Sequence, residues 1–244
     1  YENEIEESLS IKLMKHLIIA LIALIVSLNL SGQKFSLSAG TDIPYQHYLA
    51  VNLEMKKIDF SYRTGILTPP YSDAVLDIIN ALGTDDIYID LLDASFDFGW
   101  TNSIGTYYKF GKKKDWYGGG EIRYDYLTAA DAAQNIIQTI TGEPINLFNL
   151  LFSSIELKLG LKMLATGFRF GKSFTLSSNN KHHLKTEISV NKYILTQSVL
   201  ELQGFNLGLN LEPINKELDR LLWEDVFKKY GYVGGIGFSY SYSF

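Results

Sequence analysis

Charged side chains recur on alternate positions along much of this chain. Glu54, Asp59, Arg63, Asp97, Lys109, Glu121, Arg123, Asp125, Glu156, Lys158, Arg169, Lys185 and Glu187 stand between apolar or aromatic neighbours rather than in polar runs. Both signs are present, so in a narrow enclosure they are expected to pair and fill it, because an unpaired buried charge is costly. A ring of one sign would instead favour ion or solute selection. In a wider enclosure the same residues would be solvated. His47, near Thr41, Asp42 and Tyr45 and with Ser72 and Asp73 in the following loop, has the residue types of acyl-transfer chemistry. No local catalytic motif surrounds it, and the simpler reading is an interfacial histidine beside aromatic residues. His182-His183 reads as a solvated turn, since no carboxylates stand in register to complete a metal clip. Asp85, Asp86, Asp90, Asp93 and Asp97 carry the ligand type for a divalent cation but not the spacing of an EF-hand loop. Gly118-Gly119-Gly120 precedes a strand pattern rather than a helix and so is no phosphate loop. The chain has no Cys. Catalytic, cofactor and metal residues are therefore assigned to none.

The elements that position these charges have a period of two. The last stretch shows it most fully: Tyr232, Gly234, Ile236, Phe238, Tyr240, Tyr242 and Phe244 alternate with Val233, Gly235, Gly237, Ser239, Ser241 and Ser243. Successive side chains of a strand point to opposite faces, so one face is large and aromatic and the other is small. Large side chains toward lipid and small ones toward the inside of a barrel account for that division. Phe35 to Gly40, Leu49 to Met55, Ile58 to Ile66, Phe96 to Phe110, Trp116 to Tyr126 and Leu184 to Asn191 follow the same rule. From Ile155 the apolar phase runs through Leu157, Leu159, Leu161 and Met163, then shifts to Phe168 and Phe170, which predicts one long strand with a β-bulge.

Long and short connections alternate. Lys56-Lys57, Gly111 to Asp115 and Ser177 to His183 are short polar turns. Long inserts follow Thr68, Thr128 and the Leu184 strand. Each long insert carries a helical pattern: Ser72 to Gly83, Ala132 to Ile140, and the stripe Ile214, Leu218, Leu221, Leu222 and Val226 after Glu212-Pro213. These helices are expected to cap the barrel mouth or to lie on the membrane surface. The count is about eight strands, with ten as the alternative if Phe205 to Leu211 forms another. An even number puts both ends on the side of the short turns.

Met14 begins a basic start followed by the apolar run Leu17 to Leu30 and then Ser31-Gly32-Gln33, the pattern of a secretory signal peptide over 14–32. Residues 1–13 read as an upstream or artificially added segment, and 33–244 as the barrel. An uncleaved N-terminal anchor is the alternative, though the run is shorter than a spanning helix needs. In the 244-residue chain, 14 % of residues are aromatic, which suits strands and interfacial girdles. The net charge of −5 argues against a nucleic-acid partner.

On the export signal, the up-and-down alternation and the closing Gly237-Phe-Ser-Tyr240-Ser-Tyr242-Ser-Phe244, the chain resembles the small bacterial outer-membrane β-barrel proteins, of the kind of the OmpA transmembrane domain and OmpX. The resemblance implies an all-β membrane protein, an antiparallel up-and-down transmembrane barrel with short helices in long extracellular loops. It also implies an outer-membrane location, contact with lipid and lipopolysaccharide, a monomer, and an assembly signal for the barrel assembly machinery at Gly237, Tyr240, Tyr242 and Phe244. With Phe244 as the anchor, Ser239 takes the signal's glycine position; with Tyr242 as the anchor, Gly237 takes it. The function expected is non-enzymatic: a plugged polar lumen, with an envelope-structural or surface-binding role and an extracellular ligand that the sequence does not name. A small pore or transporter, and a lipid A-modifying barrel enzyme using His47, are the alternatives. A soluble exported β-domain is the alternative to the fold.

Overall fold

The alternating segments form eight strands: β1 (Lys34–Ile43), β2 (Gln46–Glu54), β3 (Ile58–Leu67), β4 (Phe98–Phe110), β5 (Trp116–Ala129), β6 (Glu156–Thr175), β7 (His182–Gln203) and β8 (Tyr232–Ser243). They come from a computed structural model that describes residues 34–68, 71–81, 98–129, 156–203 and 212–244. Residues 1–13, the signal-peptide pattern expected over 14–32, the Asp85 to Asp97 set, the helical pattern at 132–140 and the alternation at 205–211 lie outside the described residues. Each strand pairs antiparallel with the next, and β8 closes on β1. That seam runs in unbroken register from Ser36 opposite Ser243 to Ile43 opposite Ile236. Because β7 pairs directly with β8, the barrel has eight strands and not ten. Eight strands leave an interior that side chains can fill.

Among the described residues, two longer helices accompany the sheet. Helix α1 (Tyr71–Ala81) follows β3, and α2 (Glu212–Leu221) begins at the Glu-Pro pair, where proline suits the first helical turn. A π-helical turn, Leu222–Phe227, and one further α turn, Lys228–Tyr230, lead into β8.

The two faces of the wall differ as the alternation requires. Leu49, Ile104, Ile122, Phe168, Ile188 and Ile236 are more than half exposed, Phe168 at 74 %, whereas Arg169 next to it in sequence is 1 % exposed. A soluble monomer rarely exposes such a continuous apolar band, and buried charge inside apolar strands inverts the soluble arrangement. This is a transmembrane β-barrel. Aromatic rings gather toward both ends of the band: Phe98, Trp100 and Tyr232 toward the long-loop end, and Phe110, Trp116, Phe170 and Phe174 toward the short-turn end. Asn102 also looks toward lipid, and the Tyr62 hydroxyl donates to its Oδ1 at 2.8 Å, which satisfies a polar group that hydrocarbon would penalise.

The structure relocates one sequence expectation. The alternation of β6 continues without a break, with Leu161, Met163, Ala165 and Arg169 buried and Phe168 and Phe170 exposed. Leu161 and Met163 thus line the inside, and the apolar phase shifts because the interior itself changes from apolar to charged along the strand. The register does shift between Leu164 and Ala165, but the extra residue is Ile194 on β7: Leu164 pairs with Leu195 and Ala165 with Tyr193. Ile194 and Leu195 are consecutively exposed, the mark of a bulge. Beyond it β7 continues to Gln203, well past Asn191, where regular alternation suggests an end. The β6–β7 turn is correspondingly tighter, since His182 already belongs to β7.

Candidate functional site: the barrel interior

Arg169, from β6, lies at the centre of the interior. Its Nε donates to Glu121 Oε2 at 2.8 Å, and its terminal nitrogens donate to Asp42 Oδ1 and Oδ2 at 3.0 and 3.1 Å, to Glu187 Oε2 at 3.0 Å and to Glu121 Oε1 at 3.2 Å. One guanidinium fork therefore ties β1, β5 and β7 to β6. Arg63, on β3, adds a bidentate pair with Glu187 at 2.7 and 2.8 Å, the geometry that makes guanidinium–carboxylate contacts strong. Tyrosines complete the layer. Tyr117 donates to Glu187 Oε1 at 2.6 Å and Tyr107 to Glu121 Oε2 at 3.0 Å, and the Arg63 guanidinium stands 4.9 Å from the Tyr48 ring centroid. Each charge in this layer thus has an opposite charge beside it, the condition under which burial is tolerated.

Small residues make room for these large ones. A Cβ on Gly171 would lie 2.7 Å from the Tyr117 ring, and one on Gly40 would lie 2.9 Å from the Tyr48 ring. Gly237 meets the network itself: a Cβ there would lie 2.5 Å from Asp42 Oδ1 and 3.2 Å from Glu187. The serines that alternate with the β8 aromatics, Ser239, Ser241 and Ser243, are buried on the same inner face.

A second cluster stands toward the long-loop end. Arg123 donates through Nε to Asp125 Oδ2 at 3.0 Å and stacks 3.7 Å from the Tyr45 ring centroid. Tyr193 donates to Asp125 Oδ2 at 2.8 Å and hydrogen-bonds with Tyr45, and Arg123 donates to the Tyr193 hydroxyl at 3.2 Å. Gln46 links this level to Asp42 at 3.0 Å and accepts from Thr101. A third cluster lies toward the short turns. There Lys109 bridges Asp59 at 2.8 Å and Glu54 at 3.3 Å, Ser36 donates to Glu54 at 2.8 Å, and Asn52 donates to Ser38 at 2.9 Å. Lys185 lies 5.9 Å from the Tyr117 ring centroid, within electrostatic reach of Glu54, Asp59 and Glu187.

Above the charges the interior turns apolar. Leu67, Leu127, Leu161 and Met163 from the wall, and Leu222, Val226 and Phe227 from the segment after α2, are each at most 2 % exposed. Phe227 meets Tyr193 edge-on at 5.3 Å, and the Tyr193 backbone N–H donates to Gly231 O at 2.8 Å. Asp219 and the Asn215 carbonyl hold Ser198 of the extended β7. The helical segment before β8 is thereby fixed to the protruding strand.

The remaining sequence candidates fall as follows. Glu156 and Lys158 belong to β6 by backbone, with side chains outside the described residues, where Asp97 also lies. His47 is exposed, and its ring centroid is 4.9 Å from that of Tyr71, whose hydroxyl is 2.7 Å from Thr41 Oγ1. The structure puts an aromatic neighbour against this histidine, and the Ser72 side chain is outside the described residues. His182 hydrogen-bonds with the Tyr240 hydroxyl, and His183 donates to Asn180 O at 3.0 Å. Tyr240 and Phe244 are exposed and Tyr242 is half-exposed, on the outer face of β8, while Gly237 is buried. Asp42, Tyr45, Tyr48, Tyr107, Tyr117 and Tyr193 belong to the interior but are missing from the sequence-predicted charge set. Parity was the available signal: Tyr107 and Tyr117 are out of phase with the lipid-facing Tyr108 and Trp116.

No family model and no curated protein matches the chain. Among solved structures, it is similar to a major outer membrane protein from Thermus thermophilus, at 12 % identity and a TM-score of 0.49, covering 88 % of this chain and 100 % of that one. It is also similar to CarO from Acinetobacter baumannii, at 11 % identity and a TM-score of 0.37, covering 86 % and 97 % of the two chains. CarO2 of Acinetobacter baumannii is similar at 8 % identity and a TM-score of 0.38, covering 88 % and 100 %.

Proposed function

We propose that this chain is a bacterial outer-membrane barrel whose lumen is closed to solutes and whose role is structural or surface-binding, exerted through the helix-bearing long loops. The observation that carries this reading is the succession of packed side-chain clusters along the interior. The Lys109 cluster, the Arg169 centre, the Arg123–Asp125–Tyr193 cluster and the Leu222–Val226–Phe227 cap follow one another from the short-turn end to the long-loop end. A conducting path would need to break charge-assisted bonds at several levels. In the proposed orientation the short turns face the periplasm and the long loops face outward. Non-enzymatic action fits the pairing of His47 with Tyr71 at the rim.

A vesicle flux assay tests the closed lumen. Liposomes carrying the pure refolded chain are expected to release chloride and small sugars no faster than empty ones, and rapid release would favour a pore. Location and orientation are tested separately by protease added to intact cells, with cleavage expected in the long loops and none in the short turns. Lipid A altered by expression of the chain, and unaltered with His47→Ala, would favour the enzyme.

A further inference from the structure

The short-turn end of the barrel carries a one-sided charge that the lumen network does not use. Exposed Lys56 and Lys57 in the β2–β3 turn stand beside β4, where Lys57 O accepts from the Lys109 N–H at 2.7 Å. The next turn carries Lys112, Lys113 and Lys114, all exposed, with Lys114 at a positive φ of 53°. That turn is stitched to β6 by the Ser173 N–H, which donates to Asp115 O at 2.7 Å, and Lys172 of β6 lies alongside. Among the described residues the acid paired with this arc is Asp115, 3.8 Å from Lys172 Nζ.

The lysines border a lipid-facing aromatic platform. Trp116 and Phe110 pack against Phe170 at centroid distances of 5.3 and 5.7 Å, and Lys172 Nζ lies 4.9 Å from the Trp116 ring and 5.1 Å from the Phe174 ring. We propose that this arc, Lys112, Lys113, Lys114 and Lys172 above Trp116 and Phe170, binds the anionic headgroup of a diacyl phospholipid whose acyl chains lie on the rings. Cations at headgroup depth next to rings at acyl depth match the two parts of such a lipid. A cell-wall polymer, the other polyanion class, would use the lysines and leave the platform without a role. The inference rests on the membrane-spanning reading.

Its test uses the full chain with Trp100→Phe and Trp223→Phe, which leaves Trp116 as the reporter. The protein is reconstituted in phosphatidylcholine bilayers containing equal fractions of brominated phosphatidylglycerol or brominated phosphatidylcholine. Brominated phosphatidylglycerol is expected to quench Trp116 with a relative association constant about fivefold or more above that of brominated phosphatidylcholine, the scale for one or more lysines at an anionic surface. The preference should fall toward one with Lys112→Gln, Lys113→Gln, Lys114→Gln and Lys172→Gln combined, and in about 0.5 M salt. Lys216→Gln with Lys228→Gln, both on the helical segment before β8, should preserve it. Equal quenching by the two lipids, or preference retained in the fourfold variant, would overturn the site. So would lysine-dependent binding to purified peptidoglycan without any lipid preference. Heat-modifiable migration of each variant shows that the barrel is folded and embedded, so loss of the site is distinguishable from loss of the barrel.

Discussion

Replacing Arg169 with Ala would leave Asp42, Glu121 and Glu187 facing one another without the guanidinium that joins them. Breaking a buried ion network by removing one partner typically costs about 3–5 kcal/mol, because the remaining charges stay buried. Urea unfolding in vesicles is expected to show a loss of that size for Arg169→Ala, and a loss below about 1 kcal/mol would mean that the interior is wet enough to solvate the acids. At this scale the charged interior was legible, since Arg63, Glu121, Arg169 and Glu187 stand on the small-residue face of their strands. The tyrosines were not. A tyrosine suits an interfacial girdle and a polar interior equally well, so its type does not reveal its side, and Tyr45 and Tyr193 lie where turns and a bulge interrupt the parity. Asp42 was hidden for another reason: beside Ile43-Pro44 it reads as a turn residue, whereas it reaches inward to Arg169.

At the level of elements, β8 and the helical segment before it make separable predictions. Tyr240 to Ser243 pair with β1 on one side, and Tyr240 to Tyr242 pair with β7 on the other, so truncating residues 240–244 removes one end of the seam on both edges. That truncation is expected to abolish membrane assembly in cells, measured as loss of the heat-modifiable species from the membrane fraction. Phe227→Ala should act locally. Truncating a fully buried phenylalanine costs about 3–5 kcal/mol, and because this residue holds the helical segment onto the barrel, limited proteolysis should accelerate within 212–230 while the heat-modifiable migration persists. Unchanged proteolysis would mean that the segment does not depend on its apolar side chains. Strand identity was legible from the period of two, and α2 from its Glu-Pro start and apolar stripe. The length of β7 was not, because the bulge at Ile194 reverses the alternation and makes the continuing strand resemble a loop. The phase change of β6 was visible but ambiguous, since an apolar cap inside a barrel produces the same pattern as a bulge.

For the whole molecule, the up-and-down order and the inversion of polar and apolar faces both follow from one requirement, that a chain crossing lipid as strands must close on itself. Connection length does not, and the β1–β2 turn at Pro44 and Tyr45 is short although it lies at the long-loop end. Barrel closure was therefore the most legible property, because every strand reports it independently. The pairing of side chains across the lumen was less so, since it depends on which residues meet across 8 strands rather than on any one segment. Detergent-requiring solubility and a folded species that migrates differently on a gel before and after boiling are expected of the intact barrel. The central claim, that the interior is sealed from end to end, is tested most directly by single-channel recording of the pure refolded chain in a planar bilayer. The proposed closed lumen predicts a baseline without reproducible conductance steps, whereas channels of uniform, recurring conductance from the unaltered protein would contradict it.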